Sequence, residues 1–153
     1  MPQTQLYIRQ MTLSDVNLAM NLKDQVGWNQ TPDDIRRLIE YEPDGCFIAE
    51  FDGVPVGTVS TTSYGTKLAW IGMMLVLPEY RRRGIASQLI QKSIDYLCER
   101  GVTCVKLDAT PIGQPLYEQL GFHAEWGFQR WEREGENVPT FSLDGDLSAQ
   151  LVT

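Results

Sequence analysis

The stretch that decides the fold joins an apolar run to an amphipathic pattern, and it reads Val76-Leu77-Pro78-Glu79-Tyr80-Arg81-Arg82-Arg83-Gly84-Ile85-Ala86. The run that leads into it, residues 68–77, is almost wholly apolar, which predicts a central strand buried on both faces. Beyond it, apolar residues recur at helical spacing as far as Leu97, and Gly101 stands where a helix commonly ends. The sequence therefore predicts a buried strand, a tight turn and a helix in direct succession.

The turn itself has the composition of an anion site. Three arginines, Arg81 to Arg83, precede Gly84 in a chain whose formal net charge is −7. The first N–H groups of a helix have no internal partner and carry partial positive charge, and Gly84 and Ala86 leave the backbone accessible. The pattern favours a pyrophosphate at this turn; arginines that are merely solvated are the alternative. Neither a GxxxxGK[ST] nor a GxGxxG run accompanies the turn, so the common nucleotide motifs do not apply.

Turn signals upstream divide the chain into strands. Asp52-Gly53 and Gly65-Thr66-Lys67 separate three runs, 46–51, 54–64 and 68–77, which predicts consecutive antiparallel strands.

Capping residues and further turns mark the other elements. They predict a strand at 7–9, helices opened by Thr12 and Thr31, a strand at 102–108, a short helix after Thr110-Pro111, and a final pair of strands at 122–126 and 128–133. The resulting order, β-α-α-β-β-β-α-β-α-β-β, predicts an α/β fold with a mixed sheet and helices on both faces. We expect one domain over residues 1–133, with 134–153 as a C-terminal tail or linker.

Composition excludes several classes of function. With 153 residues, 20 acidic against 13 basic, and a pI near 4.6, the chain is an unlikely partner for nucleic acid or an anionic membrane. It has neither an apolar run of about 20 residues nor a recognisable signal peptide. Cys46, Cys98 and Cys104 suit neither a disulfide framework nor, with His123 as the single histidine, a structural zinc site. These features predict a reduced, cytoplasmic protein without a metal, in which Cys98 and Cys104 belong to the core.

Two motifs identify a family resemblance. Arg81-x-x-Gly84-x-Ala86 resembles the Q/R-x-x-G-x-G/A motif of the GNAT superfamily of acyl-CoA-dependent N-acyltransferases, and Tyr117-Glu118-Gln119-Leu120-Gly121-Phe122 resembles its Y-x-x-L-G-F. The predicted order of elements is similar across about residues 5–133. Gly27-Trp28-Asn29 and the run Leu107-Asp108-Ala109-Thr110-Pro111 look like a bacterial GNAT subgroup whose members often carry a second domain.

The resemblance implies where the coenzyme binds. In the family, the strand corresponding to 68–77 splays from its neighbour in a mostly antiparallel sheet, and the pantetheine arm pairs with its backbone. The residues implied in coenzyme binding lie along that strand, in the turn and after the next strand: Leu75, Val76, Leu77, Arg81, Arg82, Arg83, Gly84, Ile85, Ala86, Ser87 and Thr110. Many members have asparagine where this chain has Thr110, whose hydroxyl either replaces that contact or caps the helix.

The same resemblance implies N-acetyl transfer from acetyl-CoA to a primary amine by direct attack in a ternary complex. Tyr117 matches the family's general acid, since a phenol is protonated at neutral pH and can supply the departing thiolate; a core tyrosine is the alternative. Asp108 is a candidate base or binder of a cationic substrate, and a strand-terminating turn residue is equally compatible.

The resemblance also bears on the acceptor and on possible partners, and a non-catalytic role is its alternative. Trp28, Asn29 and Tyr64 are candidates for lining the acceptor pocket, and the acceptor is a small-molecule or protein amine. A homodimer is compatible with the resemblance. A non-catalytic acyl-CoA-binding regulatory module would need the arginine turn but not Tyr117, so turnover and a Tyr117 variant distinguish the two.

Overall fold

A computed structural model describes residues 5–131. Within that range the strands are β1 (Leu6–Gln10), β2 (Cys46–Phe51), β3 (Val54–Tyr64), β4 (Leu68–Val76) and β5 (Val105–Leu107). The α-helices are α1 (Val16–Gln25), α2 (Pro32–Tyr41), α3 (Ile85–Glu99) and α4 (Gln114–Gln119). Short 3₁₀ turns at Leu13–Asp15 and Pro78–Tyr80 lead out of β1 and β4.

The strands form one sheet in the order β1-β2-β3-β4-β5. The first four strands are antiparallel neighbours, and β5 lies parallel to β4. The predicted mixed, mostly antiparallel sheet is therefore confirmed. The parallel step follows from α3, because a helical crossover returns the chain to the same end of the sheet.

Helices cover both faces of the sheet. The buried residues of α3 (Ile85, Leu89, Ile90 and Leu97) pack in one core cluster with inward-facing residues of β2, β3 and β4. Residues of α1 and α2 form a second cluster that includes Cys46 and Ile48. Consecutive residues of β2 alternate between the two clusters, as expected for a strand buried on both faces.

Capping chemistry explains the first two helices. Asp15 accepts a hydrogen bond from the backbone N–H of Thr12 at 2.8 Å, and Asp34 accepts one from that of Thr31 at 2.8 Å. Both carboxylates thus satisfy a donor just ahead of a helical segment, which is the reciprocal half of a capping box. Pro32 occupies the first turn of α2, where its missing N–H costs nothing.

Four details of the sequence prediction are wrong. Residues 122–131 contain no strand, so the predicted pair at 122–126 and 128–133 is absent from the part of it that the structure describes. Three aromatic residues that suggested these strands are exposed: Trp126, Phe128 and Trp131.

The strand predicted at 102–108 contains only residues 105–107 in the structure. Helix α4 begins at Gln114, because Pro115 and not Pro111 occupies its first turn. Cys98 and Cys104 are exposed, since both lie near the end of an element and outside its buried stripe.

The chain divides into two compact units, residues 1–123 and 124–153. The first contains every helix and strand named above. The predicted domain boundary at 133 and the strand suggested near 140–143 lie outside the described residues.

Candidate functional site: the divergence of β4 and β5

The site is built around the place where two neighbouring strands part. β5 pairs with β4 through Ala69, Trp70 and Ile71 only, whereas β4 continues to Val76. From Gly72 onward, β4 is hydrogen-bonded to β3 on one side and has no partner strand on the other among the described residues. The splay implied by the family resemblance is therefore present.

Strand alternation decides which backbone groups face the splay. The Leu77 N–H donates to the Val56 carbonyl on β3 at 2.9 Å. In an antiparallel pair, hydrogen-bonded and non-hydrogen-bonded positions alternate, so the N–H and carbonyl of Val76 point away from β3, towards the β5 side. Leu75 points back towards β3, with its carbonyl against Gly57. Of the three residues expected to pair with the pantetheine arm, only Val76 thus presents its backbone to the splay.

A β-bulge lies in the unpaired half of β4. Thr58 pairs with Leu75 and Ser60 with Gly72, so Met73 and Met74 together face a single residue of β3. Met73 has a φ of +48°, which is rare for a residue with a side chain, and its carbonyl accepts a hydrogen bond from the Thr58 hydroxyl at 2.8 Å. Backbone strain of this kind costs about 1–3 kcal/mol and clusters at functional sites. No residue pattern predicts this bulge, because the run is apolar throughout.

The turn after β4 ends in a helix terminus with free donors. Gly84 adopts a φ of +76° and caps α3, and Gln88 is the first residue whose N–H donates to a carbonyl in the helix, that of Gly84 at 3.1 Å. The N–H groups of Ile85, Ala86 and Ser87 precede that bond, so within the described residues they have no acceptor. Arg82 also has a positive φ, +59°. Residues 81–87, called the anion loop below, thus end in a helix N-terminus whose first donors have no described acceptor, an arrangement that suits an anion.

The three arginines of the turn do not share one role. Arg81 donates from Nε to the Val76 carbonyl at 3.0 Å. The Arg83 guanidinium lies 5.0 Å from the ring centroid of Phe51 and 5.4 Å from that of Tyr80, a cation–π arrangement. Arg82 is exposed, and its side chain makes no hydrogen bond or ion pair to any described residue.

Asp108 and Thr110 follow β5 at the divergence. Leu107 forms the last pair with β4, so Asp108 is the first residue past the point where the strands part, and it is exposed. The Thr110 hydroxyl accepts a hydrogen bond from the Gly113 N–H at 3.2 Å. This bond stabilises the turn before α4 and does not cap α4 itself, whose N-cap residue is Gly113. The Thr110 hydroxyl donates its proton to no described residue.

Tyr117 lies on α4 with its ring in the core. It is 9% exposed and belongs to the cluster that contains Ile71, Val76 and Ile85, and its ring meets Phe122 edge-on at 6.1 Å between centroids. Burial raises the pKa of the Tyr117 phenol. Its hydroxyl forms no hydrogen bond to another described residue. The arrangement keeps the phenol protonated and leaves its proton uncommitted.

The loop between α1 and α2 reaches the same end of β4. Trp28 packs, partly buried, against a cluster formed by Leu22, Leu75 and Leu77. Lys23 is 7% exposed and fixes the loop twice: its Nζ donates to the Trp28 carbonyl at 3.0 Å, and its carbonyl accepts from the Trp28 N–H at 3.2 Å. A lysine is seldom so buried without such partners. Asn29, next along the chain, is exposed.

Tyr64 lies elsewhere. It ends β3 opposite Leu68, eight residues before Val76 on β4, which at about 3.3 Å per residue is roughly 25 Å along the strand. The structure brings the arginine turn, Val76 and Trp28 to one end of β4 and leaves Tyr64 at the other. Lys23 and Met73 are the residues that sequence reasoning missed at this end.

The described residues include neither a cluster of metal ligands nor a membrane-spanning helix. Among residues 5–131, no three histidine, cysteine, aspartate or glutamate side chains group closely enough to hold a metal ion. In the same range, no helix has the length and apolarity needed to cross a membrane.

Comparison with known proteins identifies the family. Residues 13–122 match the model of the acetyltransferase (GNAT) family, which is most of the chain. The chain therefore belongs to this family, and the class of its domain is that of an acyltransferase.

The individual relatives share a modest sequence identity with this chain and are longer than it. The N-acetyltransferase YitH of Bacillus subtilis is 25% identical over 134 residues, covering 88% of this chain and 46% of its own. The N-alpha-acetyltransferase MAK3 of Arabidopsis thaliana is 36% identical over 93 residues, covering 57% of this chain and 49% of its own. The chain thus spans about half the length of these two relatives.

A solved structure supports the fold. The aminoglycoside N-acetyltransferase AAC(6')-Iy in complex with CoA superposes with a TM-score of 0.69 at 24% identity, covering 87% of this chain and 98% of that one. At this identity the likeness concerns the fold.

Proposed function

We propose that the chain carries an acetyl-CoA-dependent N-acetyltransferase that acetylates a primary amine by direct attack in a ternary complex. The observation that carries this proposal is the juxtaposition of two features. One is an edge of β4 that pairs with no described strand, and the other, directly after it, is a helix terminus whose first N–H groups have no acceptor among the described residues. One offers an extended ligand a strand to pair with, and the other offers an anion its donors. Family membership supports acetyl-CoA as the molecule that has both parts.

The coenzyme would be held mainly by backbone. The pyrophosphate accepts hydrogen bonds from N–H groups between Arg82 and Ser87, and Arg82 adds an exposed positive charge. The pantetheine arm pairs with Val76 on the splay side of β4. Leu75 and Leu77 support this edge through packing and the β3 ladder, and Thr110 has a hydroxyl proton to offer from the opposite side of the splay.

Acyl transfer then needs two proton movements. The amine nitrogen attacks the thioester carbonyl, a C–N bond forms, and the C–S bond breaks. In our proposal the Tyr117 phenol gives its proton to the departing thiolate and later recovers one from solvent. Asp108 takes the amine proton, directly or through water, from its position at the divergence. A phenol is protonated at neutral pH at its ordinary pKa, and burial, which raises the pKa of Tyr117, leaves it so.

The acceptor is proposed as a small-molecule or protein amine. The names of relatives point both ways, since MAK3 is named an N-alpha-acetyltransferase and a relative from Salmonella typhimurium, 28% identical over 131 residues, is named an aminoglycoside N(6')-acetyltransferase. Trp28 and Asn29 are the acceptor-side residues we propose, because their loop packs at the end of β4 next to the splay. Tyr64 is not part of this proposal.

The experiment combines binding with turnover. Coenzyme A at about one hundred times its dissociation constant stabilises a protein by about 2.7 kcal/mol, so wild-type protein should melt measurably higher in its presence. Gly84→Glu places a carboxylate at the anion loop and should abolish the rise. Gly101→Glu is the matched control, because Gly101 has the same φ of +76° and equally open surroundings at the opposite end of α3.

The outcomes separate three readings. A rise for wild type and Gly101→Glu but not for Gly84→Glu, with thiol release against an amine panel, supports the enzyme. Binding without turnover against any amine tested would favour the non-catalytic acyl-CoA-binding module. No rise for wild type, or an equal rise for Gly84→Glu, would contradict the coenzyme site.

A further inference from the structure

The side chain of Arg81 bridges the two places where the coenzyme is proposed to bind. Its Nε–H donates to the carbonyl of Val76, the last residue of β4, while its own backbone begins the anion loop. Between them the chain makes a 3₁₀ turn, closed by bonds from the Tyr80 N–H to the Leu77 carbonyl at 2.9 Å and from the Arg81 N–H to the Pro78 carbonyl at 3.3 Å. The Arg81 side chain thus closes a ring around this turn.

The hydrogen bond from Arg81 covers a carbonyl on the open side of β4. The Val76 carbonyl faces the splay, as the alternation of the ladder shows, and it would otherwise be a free acceptor at the edge of β4. The Leu77 N–H of the same peptide unit donates to Val56 on β3, so this unit is held by β3 on one side and by Arg81 on the other. Arg81 thereby ties the end of β4 to the loop. The neighbouring N–H of Val76 and the loop N–H groups are therefore held at a set separation.

We propose that Arg81 is a positioning residue for the coenzyme, acting through the Val76 carbonyl and not through its charge on the pyrophosphate. This inference rests on the proposed function. One molecule of coenzyme A must reach both the β4 edge and the anion loop at once. Holding the two subsites at a fixed separation makes the second contact an intramolecular event, which strengthens binding of the whole ligand without strengthening either half.

Two substitutions separate the donor from the charge. In Arg81→Gln the amide nitrogen is attached to Cδ, as Nε is in arginine, so the donor stays in place while the charge is lost. In Arg81→Lys the charge stays, but the donor moves one atom farther out. Arg81→Ala removes both. Because Arg81 is exposed, these variants should fold, and a melting curve without ligand checks that they do.

The test is titration of wild type and the three variants with coenzyme A, with ADP as a probe of the anion loop and with pantetheine as a probe of the β4 edge. We expect Arg81→Ala to weaken coenzyme A binding at least tenfold and to change ADP and pantetheine binding less than twofold. Arg81→Gln should bind coenzyme A within threefold of wild type, and Arg81→Lys should resemble Arg81→Ala. A fourth variant, Arg82→Gln, is the charge control, because the Arg82 side chain pairs with no described residue. The loss of affinity from about 50 to about 300 mM salt should be unchanged in Arg81→Gln and smaller in Arg82→Gln.

Other results overturn the inference. Equal weakening of ADP and coenzyme A by Arg81→Ala, or a salt dependence reduced by Arg81→Gln, would assign Arg81 a direct ionic contact. Arg81→Lys binding better than Arg81→Gln would do the same. If wild-type protein binds no coenzyme A, the proposed function itself fails and this inference with it. That outcome differs from every pattern in which wild type binds and the variants disagree.

Discussion

The two ends of β4 are built from similar apolar residues but have different partners. At its beginning, Ala69 to Ile71 are paired with β3 on one side and β5 on the other. At its end, Val76 is paired with β3 and with no second strand of residues 5–131, and the arginine turn, the Met73 bulge and the Trp28 loop gather there. The comparison links the proposed function to incomplete pairing: the fully paired end stabilises the sheet, and the half-paired end is where we propose that the coenzyme binds.

The largest effect on kcat should come from removing the hydroxyl oxygen of Tyr117. Tyr117→Phe keeps the ring that packs against Phe122 and deletes the proposed acid. General acid catalysis is typically worth 10²–10⁴-fold, or about 3–5 kcal/mol, so kcat should fall within that range while coenzyme affinity changes less than about threefold. Since burial raises the pKa of the phenol, deprotonation of this acid should lower kcat of the wild-type enzyme only at a higher pH than an ordinary phenol would require.

The check is kcat across pH with an acceptor from the amine panel. The Tyr117→Phe enzyme is measured under conditions where chemistry limits turnover. If it retains more than half of the wild-type kcat, Tyr117 is a core residue and not the general acid.

At the fully paired end we expect a loss of stability instead. Glu42 is 5% exposed and accepts hydrogen bonds from the Tyr96 hydroxyl at 2.6 Å and the Ser63 N–H, next to the start of β4, at 3.0 Å. Burial alone would raise its pKa, but these bonds and Arg100 outweigh burial, and the pKa lies below its usual range. Glu42→Gln should therefore cost about 1–3 kcal/mol at pH 7 and leave coenzyme affinity within twofold.

The pH dependence of that loss is fixed in sign. A carboxylate with a depressed folded-state pKa stabilises above the unfolded-state value of about 4.3 and loses its contribution as the pH falls through the folded value. Urea unfolding should thus show the gap between wild type and Glu42→Gln narrowing below about pH 4. A gap that is constant with pH would mean that the charge is irrelevant.

Adjacent residues of β4 offer a test of the alternation itself. Val76→Pro removes an N–H that faces the splay, whereas Leu75→Pro removes one from the β3 ladder. The first should weaken coenzyme A about tenfold, the worth of one hydrogen bond, at a smaller cost in stability than the second. Calorimetric titration and urea unfolding of both variants give the comparison. Equal destabilisation with unchanged coenzyme affinity in Val76→Pro would show that the edge is not used.

The smallest effect is expected from Tyr64. It is 56% exposed at the fully paired end, so Tyr64→Ala should change the KM for the acceptor less than twofold. Trp28→Ala, at the other end, should raise that KM severalfold. Steady-state kinetics with one acceptor decide between them, and a larger effect at Tyr64 would reverse the assignment of the acceptor side.

Much of the fold followed from local signals. The arginine turn, the Thr12 and Thr31 capping segments and the Asp52-Gly53 hairpin each predicted an element that the structure contains, because capping and turn chemistry act over a few residues. The last two predicted strands failed for the opposite reason. Aromatic residues near Trp126 suit a strand, but pairing depends on a partner that the local sequence does not specify.

For the candidate site, the sequence indicates which residues to consider but not where their backbone groups and side chains point. Residues 75–77 were assigned as a group, yet which of them faces the splay depends on the register against β3, which the bulge at Met73 shifts. Likewise, three arginines looked equivalent until their partners were known. Charge can be counted in a sequence, but a hydrogen bond to a carbonyl five residues earlier requires the geometry of the turn.

A strand edge in the middle of a sheet is also a hazard. Unpaired N–H and carbonyl groups along an extended edge can recruit a segment of another chain, the route by which native sheets begin to aggregate. Arg81 blunts this edge by covering the Val76 carbonyl, and a bound pantetheine arm would cover more of it. Coenzyme A in the purification buffer should therefore reduce aggregation of the protein. Preparations without coenzyme A should become turbid at a lower temperature than preparations that contain it.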